Sequence, residues 1–551
     1  MNRRKLIGLS GAFAANWTVG RRFARSTGGY PFTLGVASGQ PSPDGFVLWT
    51  RLAVLPLAPD GLGGMSEPTS VIWEVAADEA MRNVVRTGTV EAYSRWAHSV
   101  HIEVTDLEPG RPYWYRFIAL GEASPVGLAR TAPMPDTKLV GMRFAFASCS
   151  NWQVGYFSAY RHMAAENPDL VIFLGDYIYE HTYANASAHK VVRKHDGSTA
   201  IDLTGYRNRY ALYHTDPDLQ ALHTAAPCLM TWDDHEVEND YANEWSERME
   251  IAPENFLRRR AAAYQAYYEH MPLRIRSMPQ GNGLRLYDRF RFGDLVSFSV
   301  LDGRQYRTKQ PCEVPPWRHG HVASESCTDR LDPERTLLGA QQERWLFDEF
   351  RRSEAAWNVI AQEQLVAHLR QRNRDGASGY WTDGWDGYPV TRQRVLDAIM
   401  ATRLNNPVFI GGDIHSFWTT DLKADFANPS SATVATEFVG TSITSDPPPR
   451  ETTLAVLPDN PHIRFFESRH RGYVAVDLTR DRMETAHADH FRPPRSKGDR
   501  AHDDPIEHGG CDSTHDEEGG QIHWTALDPQ AFPGQRSIAR LEGIQCLHWL
   551  R

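Results

Sequence analysis

A chain of 551 residues is long enough for two or more domains around a large buried core. Its 41% hydrophobic and 23% charged residues are those of an ordinary globular protein, and sixteen Trp with twenty-one Tyr point to large ordered loops rather than disorder. A net charge of −10 with no long basic stripe excludes a general nucleic-acid-binding role.

In chain order, residues 1–29 read first, as a targeting segment. Arg3-Arg4 precede an apolar stretch from Leu6 to Ala15 that is too short and too interrupted to span a membrane. Twin arginines before a weakly apolar run are similar to a Tat signal, which implies the Tat export machinery as a partner and a secreted or periplasmic protein. Asn16 and Arg21-Arg22 follow closely, and no clean A-x-A cleavage site appears. No other stretch is apolar enough to be a membrane span.

Residues 30–135 look all-β. Runs such as VIWEV, HSVHIEV and YWYRFIAL alternate with turn signals such as Pro43-Asp44-Gly45 and Glu108-Pro109-Gly110. That spacing predicts an immunoglobulin- or fibronectin-like sandwich of seven strands. Thr131 to Asp136, with two prolines, reads as a linker.

Over residues 136–490 the pattern changes to α/β. Apolar runs (RFAFAS, DLVIFLGD, CLMTWDD, LVSFSVLD, WNVIAQE, PVFIGGD) alternate with helix-like stretches such as Pro253 to His270 and Ala340 to Arg352. Pro253 suits the first turn of its helix, where the missing N–H is no loss. Insertions around 185–205 and 307–335 are long enough to be functional loops. The tail, residues 491–551, is rich in His, Asp and Gly and shows little strand or helix periodicity.

Of six cysteines, Cys312 and Cys327 bracket a Pro-rich loop and are the expected disulfide. Cys228 lies within an apolar run and reads as a buried residue.

The chemistry gathers where apolar runs end. Gly175-Asp176-Tyr177-Ile178-Tyr179-Glu180, Asp233-Asp234-His235-Glu236 and Gly412-Asp413-Ile414-His415 each follow a buried-type run, and a parallel sheet would bring them together along one edge. Each has a plain alternative: a turn pair for Asp176, a helix N-terminus solvated by acids for Asp234, a capping Asp and surface His for Asp413 and His415. Three such blocks together point to a metal-dependent hydrolase. Asp176, after a glycine that lets the chain turn, is the natural bridge between two ions, and Tyr179 is close enough in a turn to reach the same one. Asp413 and His415 share a face if strand geometry continues. Asn239 could offer an amide oxygen to a hard cation. Cys149 ends the run FAFASCS; it is either a small buried residue or a thiolate at a metal. A Cys, Tyr, His and Asp set favours iron, and an aspartate-rich set favours Ca²⁺, Mg²⁺ or Mn²⁺.

The run YPFTLGVASGQPSPDGFVLWTRL resembles the N-terminal domain of PhoD-type alkaline phosphatases. FASCSNWQVGYFSAY, LGDYIYE, TWDDHEVENDYA, SFSVLDGRQYR, NVIAQEQ and GGDIHSFW resemble that family's metallophosphatase domain, so the likeness covers roughly residues 30–480. It implies a catalytic β-sandwich flanked by helices in α/β/β/α layers, behind the all-β domain. It also implies a secreted phosphomonoesterase and phosphodiesterase with one Fe³⁺ and one or two Ca²⁺, for which Mg²⁺ or Mn²⁺ could substitute. Carried over, Cys149, Asp176, Tyr179 and His415 would hold iron, and Asp176, Asp234 and Asp413 calcium, with Asn239 and Gln362-Glu363 as further calcium-side candidates. His235 would protonate the leaving alkoxide, and Arg304 would grip the phosphoryl oxygens or serve as a salt-bridge partner. The tail and the missing cleavage site depart from the family's pattern.

The mechanism so implied is in-line attack on phosphorus by a metal-bound hydroxide, with no covalent serine intermediate. Turn or cap hydrogen bonding accounts for Ser148, Ser150 and Ser416, and no G-x-S-x-G elbow exists. The substrates expected are small-molecule or lipid- and teichoic-type phosphoesters. Two rivals stand beside this reading: a phospholipase D-like phosphodiesterase on the same metals, and an inactive exported protein whose β domain holds a glycan.

Overall fold

The computed structural model describes residues 29–183, 191–195, 197–490 and 521–525. The expected export segment, the tail apart from five residues, and Cys511 and Cys546 lie outside the described residues.

The six apolar runs are all strands, but they divide between two sheets. Gly141–Ala147, Leu170–Leu174 and Cys228–Thr231 pair in parallel in one sheet, and Val296–Val300, Trp357–Ala361 and Pro407–Gly411 in the other. The expectation of one sheet edge is therefore corrected: the loops converge from two sheets. Both faces of each strand are covered, which is why the runs lack alternation. One face of each sheet meets the other sheet, where Phe144, Ile172 and Leu174 pack with Phe298, Val359 and Ile410. The outer face of the first sheet meets helices Ser158–Ala165, Leu203–His214, Pro217–Ala225 and Pro253–His270 through Met163, Leu219 and Tyr267. Gly339–Arg352 and Pro389–Thr402 cover the second sheet with Leu346, Phe350 and Leu396. The fold is α/β.

The N-terminal segment contains eight strands rather than seven, the seventh being only Glu122–Ala123. Val84–Ala92, Thr69–Ala76 and Pro112–Ala119 form one sheet with the two short strands after them. Val36–Ser42, Gly45–Arg51 and Ser99–Val104 face it across a core of Phe46, Leu48, Val71, Tyr115 and Phe117. This second set is not free-standing. Gly39 pairs in parallel with Cys228, so the three strands extend the first of the two sheets above to nine. A Cβ on Gly39 would lie 2.7 Å from the carbonyl oxygen of Cys228 and 2.9 Å from that of Pro272, so only glycine permits the junction.

At the other end of that sheet, Gln521–Thr525 pairs with Met483–His490, so part of the tail is a strand despite its composition. Cys312 and Cys327 form the expected disulfide, and Cys228 is buried and free. Among the described residues, no helix is long and apolar enough to cross a membrane.

Candidate metal centre

The loops after the strands carry the chemistry in strained backbone. Cys149 (φ 62°), Asp176 (φ 51°), Asp240 (φ 53°), Asp413 (φ 64°) and His415 (φ 52°) all occupy the left-handed region that non-glycine residues rarely adopt. Such clustering marks functional sites, because each costs of order 1 kcal/mol that the surroundings must offset. Gly175 (φ 88°) lets the Asp176 loop approach its neighbour: a Cβ there would lie 2.5 Å from the backbone nitrogen of Asp233. The buried Glu236 carboxylate ties the two loops together, accepting from the backbone N–H of Asp176 (3.1 Å), Tyr177 (2.6 Å) and Asp233 (2.8 Å).

Three donor groups result, each with its ligand atoms within 4.8 Å of one another: Cys149, Asp176 and His415; Asp176, Asp234 and His235; and Asp234, Asp240 and Asp383. Asp176 is common to the first two. The Tyr179 hydroxyl donates to Asp176 Oδ2 at 2.9 Å, lies 3.2 Å from His415 Nε2 and accepts from Ser445 Oγ at 2.6 Å. His415 Nδ1 donates to the carbonyl of Asp446 at 2.7 Å, leaving the Nε2 lone pair for the site. Burial pulls His415 down to about 4, so the ring is neutral. Burial also drives the Cys149 thiol and the Asp176 and Asp413 carboxyls well above their usual ranges, with neighbouring aspartates adding to it.

His235 is held by a carboxylate that the sequence reading left without a role. Its Nδ1 lies 2.7 Å from Glu180 Oε2, and its ring lies over that of Tyr179 with centroids 4.1 Å apart. Burial opposes protonation of His235, but Glu180, Asp234 and Asp176 outweigh it and raise the imidazole well above its usual value. Glu180, His181 and His235 form a fourth donor group.

Several candidates have protein partners of their own. The Asn239 amide nitrogen donates to Glu247 Oε2 at 3.1 Å, a contact that does not engage its oxygen. Gln362 Oε1 accepts from Trp385 Nε1, and Glu363 Oε1 from the backbone of Gly303, so both brace loops. Arg304 is wholly buried; its Nε donates to Asp233 and its Nη1 to Asp383 Oδ2 at 2.8 Å. Its Nη2 lies 3.6 Å from Asp234 Oδ2. These contacts are those of a salt-bridge partner, while the buried Nη2 has no hydrogen-bond partner. Asp413 lies beside the groups, lining one cavity with Asp240, Asp383 and His415. Ser148, Ser150 and Ser416 bond locally, to Cys149, Tyr160 and the Ile414 carbonyl.

Asp240 and Asp383 were not singled out from sequence. Asp240 lies in an irregular loop where only its proximity to Asp234 hints at a role, and Asp383 in the run Trp381-Thr382-Asp383-Gly384 reads as a turn.

A family model described as PhoD-like phosphatase matches residues 144–487, and the N-terminal domain of PhoD-like phosphatases matches residues 17–133. Alkaline phosphatase D of Bacillus subtilis (strain 168) is 46% identical over 495 residues, covering 87% of this chain and 82% of that protein. A solved structure titled "Structure of PhoD" superposes with a TM-score of 0.81 at 42% identity, covering 94% of each chain. With both segments matched and the strand-end donors in place, the chain belongs to the PhoD-like phosphatase family.

Proposed function

We propose that this phosphoric ester hydrolase acts on phosphomonoesters and phosphodiesters at a multinuclear centre. In this reading Cys149, Asp176, Tyr179 and His415 would hold Fe³⁺. Asp176, Asp234 and Asp413 would hold Ca²⁺, with Asp240 and Asp383 extending the calcium side. The observation that carries it is the membership of Asp176 in two donor groups at once, as a bridging carboxylate requires. The donors fit such ions. Thiolate and phenolate oxygen suit ferric iron, and a carboxylate cluster suits calcium, magnesium or manganese. Asp176, Asp233, Asp234, Asp383 and Glu236 are buried together against the side chains of Arg304, Arg307 and His235, an excess of negative charge that multivalent cations would offset.

When bound, such ions activate water and neutralise charge on the phosphoryl group. The chain's own residues then orient and move protons. Glu180 fixes the tautomer of His235 by accepting from Nδ1, which leaves Nε2 to deliver a proton to the departing alkoxide. Arg304 keeps Asp233 and Asp383 in register from behind the site.

The same proposal divides the chain into an export segment (1–29), a β domain (30–135), a catalytic domain (136–490) with helix–sheet–sheet–helix layers, and a tail (491–551). The two matched ranges, which part between residues 133 and 144, and the β domain's own apolar core support the boundary between the β and catalytic domains. Export by the Tat route, to a secreted or periplasmic location, rests on Arg3-Arg4. The intact donor groups favour an enzyme over the inactive glycan-binding alternative.

The test is elemental analysis of the purified protein, paired with hydrolysis of p-nitrophenyl phosphate and its bis-ester with and without chelator. Iron with calcium, and activity lost on chelation, is the expected result. Asp176→Ala should lose both ions and at least 10²-fold in turnover. Full activity after exhaustive chelation would overturn the metal assignment.

A further inference from the structure

We infer that the apolar cavity beside the Asp413–His415 loop receives the ester substituent that stays on phosphorus, so that among phosphodiesters those with an alkyl or aryl group there are preferred. The inference rests on the hydrolase reading and on the role of His235 given above.

The cavity has a volume of about 350 Å³, within the range of sites for small molecules. Its polar end is formed by Asp240, Asp383, Asp413 and His415, so a phosphoryl group at the metal centre would stand at its mouth. Its remaining wall is largely apolar, with Leu365, Leu369, Trp381, Trp385, Ile414 and Val456. Leu365, Leu369, Ile414 and Val456 belong to one apolar cluster, so the wall is a packed surface. His235 is not part of the lining. The group that leaves beside His235 is therefore not the group that enters this cavity.

Two polar side chains along the wall are engaged by neighbours. Asp386 pairs with Arg392 at 2.7 Å and accepts from the backbone N–H of Leu369. Gln364 Oε1 accepts from Arg307 at 3.0 Å. The one guanidinium in the lining, that of Arg372, is half-exposed and pairs with Asp459 at the surface. Three aspartates at the polar end of the lining would repel a second phosphate or a carboxylate. A neutral, apolar substituent matches what is left. A monoester leaves this volume unused; a diester can fill it.

The test keeps the leaving group constant. Purified full-length, metal-loaded protein is assayed for p-nitrophenol release from p-nitrophenyl phosphate and from its methyl, butyl and octyl diesters. Across the diesters kcat/KM should rise by up to about fourfold per methylene, as burial of apolar surface predicts, until the chain outgrows the cavity. Thr452→Trp, which narrows the cavity from an exposed rim position, should flatten that slope. Leu369→Gln, which makes the wall polar, is the second variant should the first not fold. The slope is a ratio within one variant, so a uniform loss of activity cancels. A flat or falling series in the unmodified protein, or a slope retained in a folded variant, overturns the cavity assignment while hydrolysis stands. Failure to hydrolyse any ester overturns the hydrolase reading itself, and with it the inference.

Discussion

Arg304 and Glu180 are the two residues whose surroundings bear most directly on the proposed roles. The Arg304 guanidinium is buried between Asp233 and Asp383. Removing it leaves the buried Asp233 without its ion-pair partner, while Asp383 keeps Arg307, and breaking such a buried pair typically costs about 3–5 kcal/mol. Arg304→Ala should therefore lower the midpoint of chemical denaturation strongly; a stable protein with only a raised KM would restore the phosphate-gripping role. Glu180→Gln should lower kcat by about 10–10²-fold with little change in KM, because it loosens the carboxylate that orients His235 without touching substrate. A change confined to KM would refute the orienting role. The site was legible where a donor follows an apolar strand, as Asp176, Asp234 and Asp413 do. Glu180 and Asp240 escaped because they act from loops, and their partners, His235 and Gly320, are 55 and 80 residues away.

At the scale of elements, the insertion over 307–335 has a structural task at the site. Its Gly320 N–H donates to Asp240 Oδ2 at 2.7 Å, and Gln310 Nε2 to Asp383 Oδ1 at 2.7 Å. Both acceptors belong to the third donor group. The Cys312–Cys327 disulfide closes a separation of 15 residues within this insertion, which the chain-entropy treatment values at about 3 kcal/mol. The paired Cys312→Ser and Cys327→Ser variant should unfold at lower temperature and retain less calcium after dialysis, with iron content preserved. Equal loss of both ions would mean that the loop does not act through Asp240 and Asp383. The disulfide was readable from the bracketing of a Pro-rich loop, but nothing in that composition tells which acids the loop reaches. The same limit hid the second sheet. Six apolar runs announce six buried strands, whereas their partition between sheets depends on pairings such as Val296 with Trp357 that no local pattern encodes.

The whole molecule is joined through histidines that the sequence displays but does not place. The N-terminal strands grip helix Pro253–His270: Trp49 Nε1 donates to the Glu269 carbonyl, Arg51 lies 2.8 Å from His270 Nε2, and His101 Nε2 lies 2.8 Å from the Tyr268 carbonyl. His101 also stacks on Tyr268 at 4.3 Å. Behind them, His214 and His223 stack on one another and share the Tyr177 hydroxyl, next to Asp176. Burial brings His101 and His223 down to about 4. Burial, joined by His223 and Arg51, holds His214 well below its usual value, and burial with Arg51 and His214 does the same for His270. The unfolded chain protonates these rings near pH 6.5. Above that pH neither state binds the proton, and the full stability is present. As pH falls from about 6.5 to about 4 the unfolded state alone takes it up, so stability is lost across that window and the loss levels off below it. For His101 and His223 this amounts to about 3 kcal/mol each, at about 1.4 kcal/mol per pH unit. Buried carboxyls raised by desolvation, such as Glu363 at about 8 and Glu437 at about 7, act in the opposite sense, so the histidine contribution is read as a difference between variants in denaturation midpoints at pH 7.5, 6, 5 and 4.5. His101→Gln, which retains a donor for the Tyr268 carbonyl but cannot titrate, should show a shallower fall than the unmodified chain. An identical slope in that variant would mean that the junction between the two units is not what acid loosens.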